Sequence, residues 1–127
     1  MKLIPLVLML FFGFCASAQD QFRADFNYVS FYNPEKGTWT DWEEASHTLV
    51  FNINENMDIK HYTAKGEDLI YRNLGKFKED YTSDGDHYQI INALDDVGNE
   101  LRIQLFDNSK IGMKLINGAF IVQFANF

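Results

Sequence analysis

Three histidines, His47, His61 and His87, are the side chains of this sequence best placed to carry a proton near neutral pH, and Glu79, set between Phe77 and Tyr81, is the carboxylate with the most apolar neighbours. Metal chemistry needs more than single ligands. No histidine has a second His or Cys at a ligand spacing, so the sequence offers no zinc site. The acidic turns Asp84-Gly85-Asp86 and Asp95-Asp96, the second followed by Gly98, Asn99 and Glu100, carry oxygen ligands for calcium but do not follow the spacing of an EF-hand loop; Asp, Asn and Gly are also what β-turns require. A nucleophile elbow, a phosphate loop and a Gly-x-Gly-x-x-Gly motif are all missing. The adjacent pairs Glu43-Glu44 and Glu79-Asp80 point to opposite faces if they lie in strands, which separates them as acid and base. The sequence therefore predicts a protein that is not an enzyme and uses no cofactor.

The setting is written in residues 1–18. Lys2 begins a positive n-region, Leu3 to Phe14 form a short apolar stretch, and Ala16-Ser17-Ala18 is a small-residue cleavage site, so the mature chain is expected to start at Gln19. This stretch is too short to span a bilayer, and no later segment reaches the ~20 apolar residues a transmembrane helix needs. Cys15 is the single cysteine. A lipid anchor there would want a small residue before it, and Phe14 is not one. Without a disulfide or an Asn-x-Ser/Thr acceptor in residues 19–127, the chain reads as a bacterial exported protein, secreted or periplasmic.

Residues 19–127 suffice for one domain with its own core. The net charge of the full chain is −7, with acids spread along it, which argues against nucleic acid or an anionic membrane as the main partner. The hydrophobic period beyond Gln19 is two. Short apolar runs at 22–32, 47–54, 57–63, 68–74, 77–82, 88–94, 101–106, 111–116 and 120–124 are separated by turn residues, the clearest hairpin signal being Asn117-Gly118, read as a type I′ turn. The one place open to a helical turn is Thr40–Ser46, where Thr40 and Glu43 have capping-box spacing, although Trp39 and Trp42 also suit an irregular strand end. Short connections force antiparallel neighbours. The predicted fold is an all-β antiparallel meander of about eight to ten short strands, closed into a small barrel, with a two-sheet β-sandwich as the alternative.

Taking the more apolar face of each strand as inward gives an interior of Phe22, Phe26, Tyr28, Leu49, Phe51, Ile53, Ile59, Leu69, Tyr71, Phe77, Tyr81, Tyr88, Ile90, Leu101, Ile103, Leu105, Met113, Leu115, Phe120, Val122 and Phe124. The same phase turns His61, Glu79 and Asn92 inward. A buried polar group costs several kcal/mol unless it is hydrogen-bonded, so these three mark a pocket or a barrel mouth. A bulge or a one-residue slip would turn them to solvent instead, the expected outcome for Glu79 because Lys76 to Thr82 is the most polar strand and reads as an edge. Val50, Ile70, Ile91, Phe106, Ile116 and Ile121 fall out of phase and would form a patch if neighbouring strands bring them together.

Gly37-Thr38-Trp39 resembles the Gly-x-Trp pattern found near the first barrel strand of lipocalins and other calycin barrels. It differs in following a full strand, and no arginine after Arg102 is present to stack on the tryptophan. The resemblance implies a barrel that carries a small ligand. Two functions follow. One is a carrier of a small apolar or aromatic molecule, with Tyr71, Tyr81 and Tyr88 as walls and His61, Glu79 and Asn92 as anchors. The other is a protein- or glycan-interaction module acting through the surface aromatics Tyr32, Trp39, Trp42 and Tyr62. An open interior favours the first; a filled interior with clustered exposed aromatics favours the second.

Overall fold

The computed structural model describes residues 20–127; the expected export signal and its expected Ala18–Gln19 cleavage boundary lie outside the described residues. Among those residues the chain forms ten strands and no helix: β1 (Phe22–Asn33), β2 (Thr38–Trp39), β3 (Glu43–Phe51), β4 (Ile59–Tyr62), β5 (Asp68–Asn73), β6 (Lys78–Tyr81), β7 (His87–Leu94), β8 (Glu100–Phe106), β9 (Met113–Asn117) and β10 (Phe120–Ala125). Eight strands run in the order β10-β9-β8-β7-β5-β4-β3-β1 and close into an antiparallel barrel, because β10 also pairs with β1 from Tyr28 opposite Ala125 to Tyr32 opposite Ile121. Closure satisfies the outer strands' backbone groups and rules out the sandwich. Two short strands lie outside the ring: β2 pairs with the end of β1, and β6 pairs with the first half of β7.

Leu49, Phe51, Ile59, Ile103 and Met113 are fully buried at the centre, with Phe26, Val29, Tyr71, Ile91, Ala93, Leu101 and Phe124 around them. Most of these follow the predicted phase. Two strands do not. On β1 the register with β3 shifts between Phe26 and Tyr28, and past that irregularity Val29 faces the core while Tyr28 turns outward onto Phe127. On β7 the buried residues are Ile91 and Ala93, so Tyr88, Ile90 and Asn92 face outward. Ile90 and Ile91 make either phase plausible locally; the β7–β8 turn decides it, by setting Ile91 opposite Ile103 and Ala93 opposite Leu101.

Two turns also differ from expectation. Asn117 pairs with Phe120, so the hairpin loop is Gly118-Ala119, with positive φ at Gly118 alone. The Thr40–Ser46 segment forms no helical turn: Glu43 onward belongs to β3, while the Thr40 hydroxyl accepts the Phe31 N–H at 2.9 Å and the Thr40 carbonyl accepts the Ser30 hydroxyl at 2.7 Å. Thr40 thus bridges the irregular passage from β2 to β3 and covers Ser30. Gly112, at φ 73°, is required by close approach: a Cβ there would collide with the Phe124 carbonyl where the β8–β9 loop crosses β10.

Candidate functional site

The polar residues inside the barrel form a chain. His47 on β3, His61 on β4 and Tyr71 on β5 project inward from three consecutive strands, because His61 sits opposite Leu49 and Leu69 while Tyr71 sits opposite Ile59. The Tyr71 hydroxyl lies 2.7 Å from His61 Nδ1, and His61 Nε2 lies 2.9 Å from His47 Nδ1. Phe124 packs against both imidazoles, with ring centroids 4.8 Å from His47 and 5.7 Å from His61. His61 is 4% exposed, and burial, reinforced by neighbouring His47, pushes its pKa down to about 4. Burial also lowers the pKa of half-buried His47. The Tyr71 phenol is pushed up to about 12, first by burial and then by Asp96 and Asp95 beyond the end of β7. Both histidines are therefore neutral at pH 7.

Neutral histidines each offer one donor and one acceptor, which orders the chain. The acceptor found for the Tyr71 hydroxyl among the described residues is His61 Nδ1. Tyr71 then donates to His61 Nδ1, His61 donates from Nε2 to His47 Nδ1, and the spare His47 Nε2–H is left at the half-buried end. The opposite direction would strand the buried phenolic proton. The chain is thus satisfied from within, as no buried side-chain polar atom among the described residues lacks a partner.

The remaining interior candidates lie elsewhere. Glu79 faces Gln89 on β6, a strand that has left the ring, and its side chain is 66% exposed. There it meets His87, whose Nε2 is 3.8 Å away and whose Nδ1 is held by Asp107 at 2.6 Å; exposed Tyr81 packs on the same imidazole. Tyr88 stacks outside on Phe106, and Asn92 is exposed on the outer face. Of the six residues assigned to an internal ligand site, the structure brings together only His61 and Tyr71, and they bind each other. Among the described residues no group of three or more His, Cys, Asp or Glu could hold a metal ion.

The surface aromatics are better grouped. Tyr32 and Trp39 pair across β1 and β2 with centroids 5.3 Å apart, and Trp42 packs edge-on against Phe127, which in turn packs on Tyr28. Trp39 and Trp42 are 40% and 39% exposed. Tyr62 stands apart on β4, beneath Lys60. Lys114 on β9 places its ammonium 6.0 Å over Trp39 and 5.6 Å over Phe106. Trp39 itself lies on an outer strand rather than within the ring. A depression of about 390 Å³ opens beside this pair, lined by Phe31, Tyr32, Pro34, Thr40 and Phe120, with Asn33 and Glu35 as polar lining.

Strand register extends this site sideways. Tyr32 is opposite Ile121, Ile121 opposite Ile116, Ile116 opposite Arg102, and Arg102 opposite Asn92. Cross-strand partners share the outer face, so Trp39, Tyr32, Ile121, Ile116, Arg102 and Asn92 form one outer row from β2 to β7, which curves round about half of the closed ring along an arc of roughly 24 Å at ~4.8 Å per strand. The out-of-phase isoleucines at 116 and 121 are thus gathered, whereas Ile91 is core. Lys114 and Phe31 carried no signal strong enough to single them out, and nothing in the sequence set His47 beside His61, Arg102 beside Asn92 or Phe120 beside Tyr32, since these groupings are created by pairing between strands.

No family model matches this chain, and no curated protein or solved structure matches it either.

Proposed function

We propose that this is an exported, non-enzymatic binding module that takes its partner on the outside of the barrel. The observation that carries the reading is the contrast between the two faces. The centre is occupied by side chains with no exposure, and its polar groups are spent on one another, while Trp39 stays accessible on Tyr32 beside an open depression and Trp42 is exposed against Phe127. Aromatic rings of this kind bury large area at low entropic cost and serve as anchors of binding surfaces. The outer-face reading is preferred to the carrier because Glu79 and Asn92, two of the carrier's anchors, lie on the surface.

The only tryptophans, Trp39 and Trp42, are both partly exposed, and Trp39 stands on Tyr32 at this surface, so the part of the intrinsic emission that Trp39→Ala removes reports it. Titration with soluble extracellular polysaccharides should produce a saturable change in emission that Trp39→Ala abolishes. Stoichiometric uptake of 1-anilinonaphthalene-8-sulfonate by the folded protein, unaffected by Trp39→Ala, would restore the carrier reading. Export is part of the proposal: intact mass of the protein recovered outside the cytoplasm should begin at Gln19, and a mass that includes an acylated Cys15 would contradict it.

A further inference from the structure

We propose that the outer row binds an acidic glycan, stacking a sugar ring at Tyr32 and Trp39 and holding a carboxylate or sulfate group at Arg102. This inference rests on the outer-face reading above and names the chemistry of its partner.

Charge supplies the first argument. The chain carries −7 overall, yet Lys76, Lys78 and Arg102 line one depression of about 330 Å³ together with Ile90 and Asn92. An adjoining depression of about 310 Å³ shares Asn92 and Arg102 and includes Ile116, with Glu100 in its lining. None of the three cations belongs to the ion pairs found among the described residues, which join Arg23 to Asp25, Lys60 to Asp68, and His87 to Glu79 and Asp107. Cations gathered without carboxylate partners on an acidic protein form a local anion site, and a guanidinium matches the two oxygens of a carboxylate or sulfate.

Register supplies the second. Arg102 and Asn92 lie on the same row as Tyr32 and Trp39, separated by Ile116 and Ile121. A ligand that fills the row needs flat apolar faces at one end and anionic groups at the other, and must follow the curved barrel wall over an arc of roughly 24 Å. An oligosaccharide of acidic sugars has both. A peptide adding as a strand does not fit, because β8, β9, β10 and β1 are already paired on both edges. The free edge of β6 is blunted, since the Tyr81 N–H is taken by Asp80 Oδ1 at 2.8 Å. Nucleic acid would require a longer basic track than one flanked by Glu100 and Glu35.

The test is a titration of the full protein with oligogalacturonate, a sulfated dextran oligosaccharide, a neutral cello-oligosaccharide of matched length and sodium sulfate. Two reporters are read together: tryptophan emission, and the NMR side-chain signals of Asn92 and Arg102. At least one acidic oligosaccharide should saturate both reporters and weaken as salt rises. Arg102→Gln combined with Lys78→Gln should lower its affinity about tenfold, as expected for charge-assisted hydrogen bonds, without altering the circular dichroism, because both side chains are exposed. Sulfate bound as tightly as the oligosaccharides would overturn the proposal in favour of a free-anion site. Neutral oligosaccharide or a protein partner bound through Trp39, indifferent to the Arg102 and Lys78 changes, would overturn the acidic chemistry and leave the outer-face reading standing. Failure of both acidic oligosaccharides to move the two reporters together overturns it outright.

Discussion

The Tyr71 hydroxyl, 2.7 Å from His61 Nδ1, sets the direction of a hydrogen-bond chain that crosses three strands of the barrel interior. Because Tyr71 can only donate here, His61 must hold its proton on Nε2 and pass a hydrogen bond to His47. A buried chain satisfied in this way costs little in a neutral protein, but it has no place for an added proton.

Acid should therefore destabilise the fold before most carboxylates titrate. An unfolded histidine binds a proton near pH 6.5, whereas folded His61 does so only near 4, so the unfolded state binds more protons between those values. Stability present above pH 6.5 is lost as pH falls towards 4, by about 3 kcal/mol from His61 alone, with His47 adding in the same direction. Tyr71 acts at the other limit: its phenol ionises near 10 unfolded and near 12 folded, so stability falls as pH rises through that interval. Urea denaturation across pH 4 to 12 should show both limbs, and a flat profile between pH 7 and 4 would refute the buried neutral chain.

The tautomers are directly observable. Nitrogen NMR at pH 7.5 should show His61 and His47 both protonated on Nε2. Tyr71→Phe keeps the ring but leaves His61 Nδ1 without its donor, which should cost about 1–3 kcal/mol. A His61 signal protonated on Nδ1 would mean that the chain runs the other way.

Glu79 and Phe51 make a contrasting pair. Phe51 is fully buried, and Phe51→Ala should cost roughly 3–5 kcal/mol. Glu79→Gln alters an exposed side chain on an outer strand and should change stability by less than about 0.5 kcal/mol. A large effect of Glu79→Gln in chemical denaturation would place that carboxylate back in a buried role.

Gly112→Ala should destabilise by roughly 2–4 kcal/mol, since the positive φ disfavours alanine and the added Cβ meets backbone atoms of β10 that cannot swing aside. The equivalent change at Gly66, whose added Cβ meets nothing, should cost only the conformational part. Equal midpoints for the two variants in thermal melts would argue against the close loop crossing.

Period-two alternation between turn residues was enough to predict an antiparallel barrel, because strand period and turn conformation are local properties that short connections convert into neighbouring pairs. Most of the core was legible for the same reason: Leu49, Phe51, Ile59, Ile103 and Met113 hold the larger apolar share of their strands. Phase failed where both faces were apolar, at Ile90 and Ile91, and where the register shifted, at Tyr28 and Val29. The buried partner of His61 was equally hidden, since His47 precedes it by a whole strand and loop. Glu79 is exposed because β6 leaves the ring, in keeping with the polarity of 76–82, which marks an edge; the place where β6 leaves is what no local pattern records. The row from Trp39 to Asn92 exists only through closure of β10 on β1, which joins the two ends of the chain. Spacing within a strand is set by the backbone of a single residue pair, whereas such a row is set by register between strands far apart in sequence, and only the packed barrel fixes that.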